Sequence, residues 1–392
     1  MQKIDISRRS LLGAVAGGVT LAAGASVITM TDAQAVEAKQ PLKIGLLASL
    51  TGSAATAGAR VVAGAEIARD MINEAGGVAG QQISFIIEDT ESNPKAAMDA
   101  VHKLVDIDKV PVVLGEHSSA VTMATGAYTN SKGVVQINVA ATAVGLRKIG
   151  PNMFSMLPTD EFTAMALAKL ALEDSGGKRV SIITTNDSFG MSASEEIKTQ
   201  LEKLGGQVVA LVPIEPKRTD YRAELQRVFA PSPDAVISIV FFETARAVHL
   251  QAYEMGFYEQ LKGHWYAAYI NLASEPSIPE TVEGLKGIIN QGASSEDFTR
   301  IYREKLKDPQ ATPSVYALLA YDAVWVTALA TAMAGQFTAD AIRPFIPVAA
   351  SIYRGLSSDN KTLDADGIPI SQSFAFKISQ SGKLVDYVGS KG

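Results

Sequence analysis

Serine residues follow one apolar run of the sequence and lead straight into a helical pattern. Residues 114–119 read Leu-Gly-Glu-His-Ser-Ser, ending in Ser118 and Ser119. Such a start brings hydroxyls and free backbone N–H groups to the positive end of a helix, which suits a carboxylate. Either serine could instead only cap its own helix, and the two roles are compatible. We therefore expect Ser118, Ser119 and the neighbouring His117 to line an anion site.

The next apolar run along the chain ends in a similar way. Ala140, Ala141 and Thr142 follow it directly. Small residues let a ligand approach the main chain, and Thr142 can cap the segment that follows. Two adjacent loops of this kind predict one site for a small carboxylate.

Several classes of chemistry have no support in the sequence. Cysteine is absent, so there are no disulfides, thiolate ligands or cysteine nucleophiles. The motifs of serine hydrolases, zinc peptidases and P-loop enzymes are missing, and the four histidines lack metal-ligand spacing. His117 beside Ser118 could indicate nucleophilic catalysis, but adjacent residues on such a loop seldom reach the required geometry. We expect no enzyme activity, no cofactor and no metal.

The charge pattern argues against a nucleic-acid partner. The 392 residues include 35 basic and 41 acidic ones, a net charge of −6, and the basic residues are scattered. A hydrophobic content of 47% allows substantial cores, and the length predicts two or three domains.

The first 35 residues have the pattern of a signal peptide rather than of a folded segment. Arg8-Arg9 precede an uncharged stretch over 11–28, and Ala33-Gln34-Ala35 resembles a cleavage site. The paired arginines resemble a twin-arginine export signal, although Leu11 replaces the usual Phe. A membrane anchor is the alternative, but the stretch is only weakly hydrophobic. We expect export to the periplasm with cleavage near Ala35.

From Leu42 onward, short β-branched runs alternate with amphipathic helical patterns, and this rhythm restarts after Pro158. Repeated β-α-β order predicts an α/β fold with two doubly wound parallel sheets, each covered by helices on both faces. The apolar helical pattern Val315–Met333 is predicted to return to the first lobe, and the alternating segment Ser373–Ile378 to lie at the edge of the second.

This order predicts two lobes that share a hinge. We assign residues 42–157 plus 290–335 to the first lobe and 158–289 plus 336–392 to the second. Several chain crossings then form a hinge around a cleft. Since ligands of open parallel sheets bind beyond the carboxyl ends of the strands, the loops at those ends should carry the site.

Several spaced motifs together resemble one known family. The chain is similar to the leucine/isoleucine/valine-binding family of periplasmic solute-binding proteins in Leu50-Thr51-Gly52, Ala75-Gly76-Gly77, Ser118-Ser119, Ala140-Ala141-Thr142, Asn186-Asp187-Ser188-Phe189-Gly190 and Gly256-Phe257. The resemblance implies a type I fold of two α/β lobes, capture of a small solute and delivery to an ABC permease in the inner membrane. We expect the mature protein to be a monomer.

The same resemblance assigns roles to residues of the site. It implies that the Ser119 hydroxyl and the main chain of Ala140 and Thr142 bind the ligand's carboxylate. Phe189 stands where family members often place a tyrosine. The chain departs from the pattern twice: Ala57 replaces a large aromatic residue, and no acid for the ligand's ammonium occurs near Tyr269.

These departures leave the ligand open. Burying an unpaired ammonium costs several kcal/mol, whereas Phe189, Phe241, Tyr269 and His117 offer flat apolar surfaces. An aromatic or keto acid is therefore an alternative to a branched-chain or related amino acid, unless Glu243 supplies the missing acid. A sensory module that presents its ligand to a membrane receptor would use the same cleft.

Overall fold

The computed structural model describes residues 40–52, 54–273, 279–290, 294–357, 361–371 and 374–388. The predicted signal peptide, residues 1–35, lies outside these ranges. Two separate sheets, of five and seven strands, form the framework.

The first sheet is wholly parallel, with strand order β2-β1-β3-β4-β5. A π-helical turn at Lys103–Ile107 and a 3₁₀ turn at Val144–Lys148 accompany it. Its elements are β1 (Leu42–Ala48), α1 (Ala55–Glu74), β2 (Ile83–Asp89), α2 (Pro94–His102), β3 (Val112–Leu114), α3 (Ser119–Ser131), β4 (Val135–Asn138) and β5 (Met153–Ser155).

The second sheet begins after the first crossing between the lobes. Its first elements are α4 (Glu161–Ser175), β6 (Arg179–Thr185), α5 (Ser188–Lys203), β7 (Gln207–Ile214), α6 (Arg222–Phe229), β8 (Ala235–Ile239), α7 (Phe242–Glu254), α8 (Phe257–Leu261), β9 (Trp265–Ala267), α9 (Ile270–Ala273) and β10 (Lys286–Asn290). The remaining elements are α10 (Glu296–Leu306), α11 (Val315–Ala334), α12 (Ala339–Ile342), α13 (Ile346–Ile352), β11 (Phe374–Gln380) and β12 (Lys383–Asp386).

The two-lobed α/β fold class is confirmed, with one difference in the second sheet. Its order is β12-β11-β10-β9-β8-β6-β7, and β11 pairs antiparallel with both β10 and β12. Residues 361–371, the described segment that precedes β11, contain no helix, and β12 follows β11 through a tight turn, as antiparallel pairing allows. The sheet is therefore parallel with an antiparallel edge.

Local capping explains why one helix starts earlier than its apolar pattern indicates. The amphipathic pattern predicts this helix over Ser192–Leu204, but α5 starts at Ser188 because the Asp187 side chain accepts the Gly190 N–H at 2.8 Å. The earlier start places Phe189 in the first turn of a helix, where its position is fixed by the fold.

Helix α11 is the centre of the first core. Fifteen of its 20 residues are buried, and it packs along α1. Contact is closest at Gly64, where a Cβ atom would lie 2.0 Å from the Ala317 carbonyl oxygen. By length and composition α11 is the one helix in the described residues that could cross a membrane, but 83% of its most apolar window is buried inside the protein.

Part of the predicted lobe boundary is wrong. Residues 336–392 were assigned to the second lobe, yet Ile342, Ile346 and Tyr353 lie in the first core beside α11. The physical reason is Asp322, a carboxylate buried within this apolar helix. It accepts hydrogen bonds from the Tyr353 hydroxyl at 3.1 Å and the backbone N–H of Leu356 at 2.8 Å, which draws this segment onto the first lobe.

We predict that Gly64→Ala destabilises the protein by about 1–3 kcal/mol, because the added methyl group would force α1 and α11 apart. Urea unfolding measures the free energy of unfolding. Ala59→Ser, an exposed change on the same helix, is the control and should have little effect. Equal stability of the two variants would contradict the close packing at Gly64.

Candidate ligand-binding site between the lobes

The strand order of each sheet reverses at one point, and the predicted site loops lie there. In the first sheet the reversal falls between β1 and β3, and in the second between β6 and β8. Crevices form at such points, beyond the carboxyl ends of the strands. The loop of Ser119 follows β3, whereas Phe189 follows β6 and Phe241 follows β8.

The two predicted anion loops of the first lobe come together. The Ser119 hydroxyl oxygen accepts the N–H groups of Thr142 at 3.4 Å and Ala143 at 3.3 Å. Ser119, Ala141 and Thr142 are buried, and the Ala140 N–H donates to the Glu116 carbonyl at 3.2 Å. Ser118 is the N-cap of α3 but forms no side-chain capping bond within the described residues. The hydroxyl of Ser118 is thus not committed to capping.

A buried acid, Glu116, organises this loop and was missed as a site residue. Its carboxylate accepts the Ser49 hydroxyl at 2.6 Å and the Thr90 hydroxyl at 3.1 Å. It also accepts the backbone N–H groups of His117 at 3.0 Å and Ser118 at 2.8 Å. Two of the N–H groups that we expected to be free for a ligand are therefore already used. The signal was present in the loop sequence, as an acid between the strand and the serines.

The surroundings of Glu116 stabilise its charged form. Burial acts to raise the pKa of this carboxyl, but the neighbouring His117 and the hydrogen bonds from Ser49 and Ser118 outweigh burial and lower the pKa to about 2. The first lobe consequently holds a permanent negative charge beneath the anion loop.

Two other predicted site residues, His117 and Ala57, lie on the first lobe. The His117 ring lies 5.5 Å from the ring of Tyr316, and its Nδ1 is 3.3 Å from the Glu116 carboxylate. Ala57 is buried in the first turn of α1, next to Gly58, which packs on the Ser49 carbonyl. Ala57 therefore lies near the carboxyl end of β1.

The predicted aromatic surface of the second lobe forms one cluster. The ring centroids of Phe189 and Phe241 are 5.5 Å apart, and that of Tyr269 lies 6.5 Å and 6.1 Å from them. All three side chains are half-buried. The cluster joins the loops that follow β6, β8 and β9.

A second acid, Asp160, was also missed. It lies just before α4, and its N–H donates to the Thr142 carbonyl at 2.8 Å. The residue is 1% exposed, and neither carboxyl oxygen has a hydrogen-bond partner in the described part of the chain. Burial raises the pKa of Asp160 well above its usual range. The nearby Thr142 hydroxyl acts to lower this pKa, and the charges of Glu161 and Glu196 act to raise it.

Asp160 and Tyr269 are close enough to influence each other. Burial and, after it, the charge of Asp160 raise the pKa of Tyr269. No acid lies near Tyr269 in the sequence, as expected, but the fold brings Asp160 close to this tyrosine from another loop. Glu243 does not replace it, because its side chain is exposed.

Tyr316, at the start of α11, is a further residue that the sequence did not reveal. It contacts His117. Burial raises its pKa to about 12, with the charge of Arg60 opposing and that of Glu116 adding. An apolar helix pattern gave no reason to separate this tyrosine from the core residues that follow it.

The lobes touch each other on one side of the cleft. The Val144 N–H donates to the Ser192 hydroxyl at 3.1 Å, joining the 3₁₀ turn of the first lobe to α5 of the second. Arg147 forms an ion pair of 3.0 Å with Glu161 and another of 2.6 Å with Asp364. The lobes are therefore in contact beside the residues described above.

Comparison with known proteins gives the family. A family model described as "Periplasmic binding protein" matches residues 41–383. The chain belongs to the periplasmic binding protein family. This is a family of binding proteins and not of enzymes, and the resemblance expected from the sequence is confirmed.

Individual relatives of this periplasmic binding protein agree. A Leu/Ile/Val-binding protein of Rhizobium johnstonii is 31% identical over 196 residues, which are 50% of this chain and about half (53%) of that relative. A branched-chain amino acid transporter substrate-binding protein of Streptococcus pneumoniae, solved with isoleucine, has a TM-score of 0.75 at 25% identity and covers 88% of this chain and 97% of its own. An ABC-transporter solute-binding protein of R. palustris, solved with benzoate, shares the fold, with a TM-score of 0.74 at 20% identity, covering 88% and 95%.

We predict that Glu116 makes the free energy of unfolding depend on pH in the acidic range. Because its folded pKa of about 2 lies below the ordinary value of 4.5, the ionised group stabilises the fold above pH 4.5, and this contribution is lost as the pH falls towards 2. Glu116→Gln should lower the free energy of unfolding at pH 7 by about 2–3 kcal/mol and flatten its decline between these pH values.

Urea unfolding across that pH range tests this prediction. Glu74→Gln, at an exposed position, is the control and should follow the parent protein. A Glu116→Gln variant whose stability declines as steeply as that of the parent would refute the assignment.

Proposed function

We propose that this protein is the solute-binding component of an ABC importer and captures an aliphatic amino acid of the branched-chain type between its lobes. The observation that carries the proposal is the position of Thr142. Its amide faces the Ser119 hydroxyl, and its carbonyl is bound to the backbone of the buried acid Asp160. Groups for a carboxylate and for an ammonium thus lie within one site.

Binding of the carboxylate is supported by the lengths of the hydrogen bonds now present. Contacts of 3.4 Å and 3.3 Å to the Ser119 oxygen exceed the usual range for N–H···O bonds. A carboxylate oxygen accepting from the same amides and from the Ser119 hydroxyl would form shorter, charge-assisted bonds. The ligand therefore replaces weak contacts with strong ones.

Binding of the ammonium is supported by Asp160. A buried carboxyl without hydrogen-bond partners is costly, and a cation beside it removes that cost. The relatives from Rhizobium and Streptococcus, a Leu/Ile/Val-binding protein and a branched-chain amino acid transporter protein solved with isoleucine, favour the same ligand class. Phe189, Phe241 and Tyr269 then enclose the aliphatic side chain.

An aromatic acid is the second candidate. The cluster of three rings offers a flat apolar surface, on which a benzoate ring can lie. The benzoate-bound protein of R. palustris shows that this fold accommodates such an acid. In this case the same Ser119 and Thr142 groups hold the carboxylate.

The cellular setting follows from the same proposal. Residues 1–35 would direct export to the periplasm, and the loaded monomer would deliver its solute to an inner-membrane ABC permease. A sensory role would use the same cleft, but uptake of the solute would then survive deletion of the gene.

We predict that leucine, isoleucine or valine raises the melting temperature of the purified protein more than any other compound in a panel that includes benzoate, 4-hydroxybenzoate and keto acids. A ligand that binds only the folded state, at one hundred times its Kd, adds about 2.7 kcal/mol of stability. Thermal-shift measurements on the panel provide the test. Stabilisation by benzoates alone would favour the second candidate, and no stabilisation by any carboxylate would end the proposal.

We also predict that Ser119→Ala weakens binding of the best ligand by about 1–3 kcal/mol, because one charged hydrogen bond is lost. Isothermal titration calorimetry gives the affinity. Ser131→Ala, at the exposed end of the same helix, is the matched control and should bind as the parent does. Unchanged affinity of the Ser119→Ala variant would remove Ser119 from the site.

A further inference from the structure

We propose that Asp160 adapts the site to two ligand classes by changing its protonation state. A ligand that carries an ammonium group displaces the proton of the Asp160 carboxyl. A carboxylate ligand without an ammonium group binds while Asp160 keeps this proton. This inference rests on the proposed function, since it requires the ligand to bind beside Thr142. It adds that one cleft accepts either class, and that the protonation state of Asp160 changes with the class that is bound.

Among the described residues, no cation pairs with the Asp160 carboxyl group. Its carboxyl group is buried, and in the described residues no ion pair and no hydrogen bond reaches either oxygen. A bare carboxylate in such a place is strongly disfavoured compared with the neutral acid. Burial without a partner therefore favours the neutral, protonated form of Asp160.

The neighbouring groups act in the same direction. Glu161 follows in the chain, Glu196 faces Asp160 from α5, and the Tyr269 hydroxyl faces it from the loop after β9. Of the two glutamates, Glu161 is paired with Arg147 at 3.0 Å, and Arg147 is also shared with Asp364. Thr142 is the one facing group that favours the charged form, and burial outweighs it, so that the pKa of Asp160 is raised well above its usual range.

The two ligand classes then have different proton balances. When a zwitterion places its ammonium beside Asp160, the carboxyl loses its proton to the buffer and an ion pair forms. No other bond changes. A benzoate brings one negative charge to Ser119 and Thr142 and no cation, so a second anion at Asp160 would be repelled. The retained proton can instead be donated in a hydrogen bond to the bound carboxylate.

Calorimetry with the whole mature protein measures this proton. L-leucine and benzoate are titrated at pH 7 in two buffers with different enthalpies of ionisation, phosphate and Tris. The expected result is release of protons on leucine binding and none on benzoate binding. While Asp160 is protonated in the free protein, leucine affinity should rise about tenfold per pH unit, and benzoate affinity should not.

The variant Asp160→Asn should release no proton and should bind leucine at least about tenfold more weakly, with benzoate affinity changed by less than about threefold. Glu195→Gln, an exposed change beside Glu196 on α5, is the control and should release the proton as the parent does. If the Asn variant fails to fold, the proton count and the pH dependence of the parent protein still decide the matter.

The outcomes separate this inference from the proposed function. Leucine binding without proton release, or release that persists in Asp160→Asn, overturns the inference and leaves the binding function intact. Failure of both leucine and benzoate to bind at Ser119 overturns the proposed function.

Discussion

The buried carboxylate of Glu116 is the interaction on which the first lobe's site depends. It joins Ser49 after β1, Thr90 after β2 and its own loop after β3, at the point where the strand order reverses. By accepting the N–H groups of His117 and Ser118 it also fixes the start of α3. Four donors offset the cost of burying this charge, and Ser119 is thereby held at Thr142.

Asp160, the second buried acid, has the opposite surroundings. Glu116 has donors on every side and is ionised, whereas Asp160 has none in the described residues and has a raised pKa. Burial and the charges of Glu161 and Glu196 make the ionised form of Asp160 costly, and no cation offsets them among the described residues. Because both acids are fully buried, the difference between them follows from the neighbouring His117 and the hydrogen-bond donors that only Glu116 has.

The lobes remain a single unit because the chain crosses between them and returns. Helix α11 brings the chain back onto α1, and Asp322 within it then draws in the segment that carries Tyr353 and Leu356. After α11, the chain rejoins the second sheet only at β11. Arg147, paired with Glu161 and Asp364, lies where these crossings meet.

The sequence by itself determined the α/β order, the family and the loops proposed to form the site, because strand and helix periodicity and loop motifs are local properties. Ser119, Thr142 and the rings of Phe189, Phe241 and Tyr269 could be named in this way. Only the tertiary structure decided the partners of Glu116, the isolation of Asp160 beside Tyr269, and the return of residues 339–356 to the first lobe. These features depend on which distant groups share a buried space. Burial and hydrogen bonding control the charge of a carboxyl group, and neither can be read from the spacing of residues along the chain.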